Sequence, residues 1–199
     1  MTAMLTRMPL LVVLVFGIAL ARPASGQAQE LDSGGLGISR EAWEAVHGPG
    51  DPIDMPLNPT WGELTAYAFD GGMYYVAFSG TKEATGGTVV SIEVAFESGV
   101  MSGDAVNAVI DPLLPSDAEF ADTYYLPPSP GALSAIRVTR YESTGLGAVP
   151  YADITLEPTF LVMQVGRTEA IRIAGEFDAS INFETTVTRV SIAVAIPEG

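Results

Sequence analysis

Between Leu64 and Ser79 two runs with alternating apolar residues, Leu64-Thr-Ala-Tyr-Ala-Phe-Asp70 and Met73-Tyr-Tyr-Val-Ala-Phe-Ser79, are separated only by Gly71-Gly72. Asp-Gly-Gly between two period-2 runs is a hairpin signature, because glycine reaches the positive φ that a tight turn matched to strand twist requires. So short a connection leaves no room for a helical crossover, and the strands it joins must be antiparallel. The looser connection Gly80–Gly87 then leads into Thr88–Glu97. There Val90, Ile92, Val94 and Phe96 point one way and Ser91, Glu93 and Glu97 the other, the pattern of a strand with one buried face.

Four further runs read as strands: Ala135–Glu142, Ile154–Val165 interrupted by Pro158, Ala170–Phe177 and Thr185–Ile196. In the last, Val190, Ile192, Val194 and Ile196 alternate with Ser191, Ala193 and Ala195. A short helix precedes each of the two groups of strands. Ser39 is an N-cap with Glu41 in the first turn, Ile38 and Trp43 form a hydrophobic staple, and Gly48-Pro49 ends the helix with Trp43 and Val46 on its inner face. Ser102 caps a second helix carrying Val106, Val109, Ile110 and Leu113 at i, i+3, i+4, i+7 spacing, with Pro112 disturbing its last turn and Pro115 ending it. The segment Tyr124–Gly131 contains three prolines and reads as a loop with two aromatic residues at its start. The predicted fold is α+β: an antiparallel sheet of about seven strands with both helices packed on one face. The halves loosely repeat a helix-plus-strands unit, without residue-level self-similarity.

The N-terminus has the layout of a secretion signal: Arg7, the apolar run Pro9–Ala21, then small residues up to Ala28. The run is shorter than the ~18–20 residues a spanning helix needs, so cleavage after Ala28 is expected, and no later stretch suggests a membrane span. Residues 29–37 read as a flexible leader and 38–199 as one domain. The chain holds no cysteine, so neither a lipoprotein anchor nor a disulfide framework is available. The product is expected to be secreted or periplasmic and not lipidated. Cleavage takes away two of the nine basic residues, Arg7 and Arg22, and none of the 24 acids, moving the formal charge from −15 to −17. So acidic a chain repels phosphate backbones, which argues against a nucleic-acid partner.

Chemistry-bearing residues are sparse. His47 is the only histidine, which excludes a His-metal cluster, a Ser-His-acid triad or a Cys-His dyad within one chain; beside Gly48 it reads as an imidazole facing carbonyls at a helix end. Lys82, the only lysine, lies in a glycine-rich loop with Ser79 and Thr81 and reads as a solvated side chain. Glu93 and Glu97 share a strand face, but i and i+4 positions stand about 13 Å apart, outside either glycosidase geometry. Asp178-Ala-Ser-Ile-Asn182 with Glu184 places oxygen ligands at alternate positions, yet Phe183 and Arg189 stand where an EF-hand needs glycine and glutamate. No phosphate-binding or nucleophile-elbow motif occurs, and no metal or cofactor is expected.

The segment Ser39-Arg-Glu-Ala-Trp-Glu-Ala-Val-His-Gly-Pro-Gly-Asp-Pro52, with Leu113-Leu-Pro-Ser-Asp-Ala118 further on, resembles a group of uncharacterised bacterial secreted proteins. More remotely, the short helix closing on Gly-Pro before a hairpin resembles SmpA/OmlA-type envelope lipoproteins and the β-lactamase-inhibitor-like fold. The resemblance implies an open antiparallel sheet with helices on one side and a protein-binding role. It carries over no functional residue, and this chain lacks the lipoprotein cysteine.

The expected function is therefore a non-catalytic exported binding domain, for another extracytoplasmic protein or a carbohydrate. Trp61, Tyr124 and Tyr125, aromatic residues near turns, are the candidate contacts. The alternatives are a secreted hydrolase using two carboxylates from different strands, one with a raised pKa, or an envelope structural protein.

Overall fold

The computed structural model describes residues 31–54, 63–79, 87–126, 134–151, 154–155, 158–167, 183 and 186–195. The expected signal segment 1–28, Trp61, Lys82, the proline-rich residues 127–131, the expected strand Ala170–Phe177 and the oxygen-rich motif 178–182 with Glu184 lie outside them.

Local sequence signals set the first elements. Helix α1 (Arg40–His47) starts where the Ser39 hydroxyl accepts from the Ala42 amide at 3.1 Å, and stops at Gly48, φ +77°, whose N–H donates to the Glu44 carbonyl. Strand β1 (Asp51–Ile53) follows, then the hairpin of β2 (Glu63–Phe69) and β3 (Gly72–Phe78), with Phe69 opposite Gly72. The turn glycines have distinct duties. Gly71 takes φ +103°, whereas Gly72 permits close approach: a Cβ there would stand 2.2 Å from the carbonyl oxygen of Ala95 on β4 (Val89–Phe96).

Helix α2 (Gly103–Ile110) is capped by Ser102, and Pro112 converts its continuation into a 3-10 turn, Asp111–Leu113. Strands β5 (Glu119–Leu126) and β6 (Ser134–Glu142) come next. A short insertion, α3 (Thr144–Gly147) and the two-residue strands β7 (Pro150–Tyr151) and β8 (Ile154–Thr155), precedes β9 (Thr159–Arg167) and β10 (Val187–Val194).

The main sheet has eight strands rather than about seven, ordered β1-β2-β3-β4-β10-β9-β6-β5, and every pair is antiparallel. The two strands not anticipated are its edges. β1 is three residues long and contains Pro52, which only an edge strand tolerates. β5 carries an irregularity between Phe120 and Asp122 that breaks its period-2 pattern. Pro158 splits the run Ile154–Val165, as its missing N–H requires: only the part from Thr159 joins the main sheet. In each half a helix precedes the four strands that the half gives to the main sheet, and the last of these, β4 and β10, meet at the centre.

Registered partners share a face, so the pairing defines both faces. Tyr67, Tyr74, Val94, Val190, Gln164, Arg137 and Tyr125 lie in one row across the sheet, on the first face. Ala66, Tyr75, Glu93, Ser191, Met163, Val138 and Tyr124 form the adjacent row, on the second face. Helix α1 lies on the first face, where the Trp43 ring meets Tyr67 and Tyr74 edge-on with centroids 5.7 and 5.6 Å away. Val106, Ile110 and Leu113 of the second helical segment are buried in the same apolar cluster.

Two local expectations are corrected. Val46 does not share the inner face with Trp43; it is 76% exposed. The inward side of α1 runs through Arg40, Trp43 and His47, with Arg40 over the Phe78 ring and His47 stacked on Trp43, and Val46 falls on the far side of Trp43. Residues 33–37, expected to form part of a flexible leader, are packed: Leu36 is fully buried and its amide donates to the Leu113 carbonyl, while Gly34 donates to Pro112 and Gly37 to Val89. The glycines there serve contact, since a Cβ on Gly34 would sit 2.2 Å from the Pro112 carbonyl oxygen.

Candidate functional site

Of the three aromatic candidates, Trp61 lies outside the described residues and the two tyrosines stand on β5, not in a loop. The correction has a simple cause. The prolines begin only at Pro127, so β5 keeps all its N–H donors, and the bias that proline imposes on its predecessor is toward the extended backbone that Leu126 adopts. Being consecutive in a strand, Tyr124 and Tyr125 point to opposite faces and cannot form one contact patch.

Each tyrosine has a different setting. On the first face, the Tyr125 ring lies 5.8 Å from Phe183, itself buried and capped by the Arg137 guanidinium at 5.3 Å; Arg137 also donates to the Gln164 side-chain oxygen. On the second face, Tyr124 is opposite Val138 and Leu126 opposite Ile136, with Met163 and Val165 in the next strand. Tyr124 and Leu126 are each 46% exposed. Phe120, near the start of β5, is 64% exposed although its ring meets Tyr141 at 6.3 Å. Thus four of the five large hydrophobic residues exposed among the described residues (Phe120, Tyr124, Tyr125 and Leu126) belong to one strand, at the edge of the sheet. Sequence reasoning missed Phe120 and Leu126. The available signal was the β-branched and aromatic enrichment of Thr123-Tyr-Tyr125, and the irregularity at Ala121 hid it by shifting the phase.

Charge on the second face is arranged in pairs. Arg140 meets Asp122 at 2.7 Å and Arg189 meets Glu93 at 3.5 Å, both near solvent. Glu119 is the exception: it stands directly opposite Glu142 across β5 and β6, and neither has a basic partner among the described residues.

The carboxylates elsewhere do structural work. Asp117 accepts from the Ser143 hydroxyl at 2.5 Å, the Gly145 amide at 2.8 Å and the Thr144 hydroxyl at 3.1 Å, and so fixes the cap of α3. Burial pushes its carboxyl up, but these hydrogen bonds outweigh that and hold it below its ordinary value. A general acid needs the opposite displacement. A shallow cleft next to it is lined by Ser116, Glu119, Glu142 and Pro158. Another, beside Tyr141, contains Asp32 and Asp111. Among the described residues no group of three or more His, Cys, Asp or Glu side chains is placed to hold a metal ion, and no helix is long and apolar enough to cross a membrane.

His47 also departs from expectation. Its ring packs on aromatic residues, 4.0 Å from Trp43 in a stacked arrangement and 5.3 Å from Tyr74 edge-on, and burial pushes its pKa below the ordinary value. The aromatic cluster, not the helix carbonyls, sets its environment.

Comparison of the chain with family models, curated proteins and solved structures finds no match. The resemblance read from Ser39–Pro52 therefore stands as an expectation only.

Proposed function

We propose that this chain is a non-catalytic binding domain acting outside the cytoplasm, and that it engages a protein partner through strand β5 and the second face beside it. The observation that carries this reading is that Tyr124 and Leu126, both exposed, are neighbours on the second face of one edge strand. Exposed apolar side chains gathered in one place mark interaction sites, whereas singly scattered ones do not. With both helices assigned to the first face, the second face offers Tyr124, Leu126, Ile136, Met163 and Val165 as a continuous apolar contact, with Asp122–Arg140 and Glu93–Arg189 paired beside it and the unpaired Glu119 and Glu142 at its far end. The export reading supplies the compartment.

The test compares the immobilised mature chain with its Tyr124→Asp/Leu126→Asp variant in envelope extract. Both substitutions fall on exposed positions and leave the buried cluster intact, so thermal stability is expected to change little. The wild type is expected to retain one protein in stoichiometric amount and the variant to lose it by at least about tenfold, the effect of removing central aromatic and aliphatic anchors. Equal recovery by both would place the contact elsewhere, and hydrolytic turnover by the purified chain would replace the binding reading with an enzymatic one.

A further inference from the structure

Resting on that reading, we infer that the partner at the second face is a second copy of this chain, packed sheet on sheet about a two-fold axis that runs along the seam between β4 and β10.

The strands themselves require a cover on both sides. An antiparallel sheet with one solvated face alternates apolar and polar residues, whereas near-continuous apolar strands are those buried on both faces. β3 is apolar from Met73 to Phe78, and β9 from Phe160 to Val165 has one polar residue, Gln164, which lies on the first face. On the second face that cover is incomplete. In β9 the first-face Phe160, Val162 and Gln164 are buried, but Leu161, Met163 and Val165 on the second face are only half-buried. Tyr124 and Leu126, in the rows of Met163 and Val165, are exposed.

Size and charge select the occupant. The second-face rows through Leu161, Met163 and Val165 cross the seven strands from β2 to β5 in sheet order. With strands about 4.8 Å apart and same-face residues about 6.8 Å apart, they make a face of about 34 by 20 Å, roughly 700 Å² before side-chain relief. A stable interface of standard size buries about 800 Å² per partner. The charged side chains in those rows are Glu93, Arg189, Asp122 and Arg140, paired as Glu93–Arg189 and Asp122–Arg140; Asp51 lies outside them on the short edge strand β1. The face is therefore neutral in a chain of formal charge −15. A basic or an acidic partner meets as many like charges there as opposite ones, whereas a copy brings the same two pairs. A two-fold axis along the central seam sets β4 of each chain over β10 of the other, with each Glu93 beside the other chain's Arg189, so that each carboxylate and each guanidinium gains a second opposite charge. Glu119 and Glu142, both exposed, stay at the margin.

The test is sedimentation velocity on the mature chain over a range of micromolar concentrations, where a species of twice the chain mass is expected. Arg189→Glu, which leaves only carboxylates beside the axis, and Glu93→Arg, which leaves only guanidinium groups, are each expected to weaken self-association at least about tenfold. Both change a solvent-exposed ion pair, so the fold is expected to persist. An equimolar mixture of the two variants is expected to form the dimer that neither forms alone, a recovery that charge repair within one chain does not explain. Monomers at every concentration, undiminished association of either variant, or no recovery in the mixture would overturn the inference. If the chain is monomeric and the Tyr124→Asp/Leu126→Asp variant still loses a different protein from envelope extract, the binding-domain reading survives and self-association alone fails.

Discussion

Replacing Trp43 by alanine is expected to lower the unfolding free energy by about 3–5 kcal/mol, the range for deleting a large aromatic side chain from a core. Trp43 is fully buried, meets Tyr67 and Tyr74 edge-on, and is covered by His47. It is the residue through which α1 is attached to the sheet, since the other inward side chains of that helix are the half-buried His47 and Arg40, whose guanidinium is shared among Glu63, Glu44 and the Phe78 ring. Among the described residues the buried indole Nε1 has no hydrogen-bond partner, so Trp43→Phe, which removes that group and keeps a ring, is expected to cost no more than about 1.5 kcal/mol. Urea denaturation separates the two variants: an equal loss for both would mean that indole size, not the aromatic cluster, sets the stability. A negligible loss for alanine would mean that α1 does not hold to the first face.

The second large effect is expected at the seam between the halves. Ile92 on β4 and Ile192 on β10 are directly opposite each other, both fully buried on the first face. Ile192→Ala is expected to cost about 2–5 kcal/mol, and Ile92→Ala the same. Because the two side chains share one cavity when both are cut back, the double variant is expected to fall short of additivity by at least about 0.5 kcal/mol, readable in a double-mutant cycle. Strict additivity, or two separate unfolding transitions, would contradict a single sheet joined through β4 and β10.

What the sequence revealed depended on the range of the physics involved. Helix starts were legible because a cap is a local hydrogen bond, as at Ser39 and Ser102, and the β2–β3 hairpin because Asp70-Gly71 specifies its turn within two residues. The alternation of β4 and β10 was equally plain, although Ser91, expected on a wet face, is buried in the middle of the sheet. Features set by distant neighbours were not legible. The glycines before Ile38 look like a flexible stretch until Pro112 and Leu113, some eighty residues later, are seen to pack against them. Edge strand β5 was hidden because an irregular register erases period-2 alternation and because edge position follows from the order of all eight strands. The tyrosines were singled out for their type. That they face opposite ways, and that Phe120 and Leu126 join them, follows from register alone.

The binding reading has one premise, that β5 stands at the end of the main sheet in the isolated protein. Amide hydrogen exchange on the mature chain measures it residue by residue. The account predicts that the amides of β5 exchange faster as a group than those of central β4 and β10, which exchange slowly throughout. Uniformly slow exchange along β5, equal to that of β4, would mean that the edge is already occupied and would contradict the account.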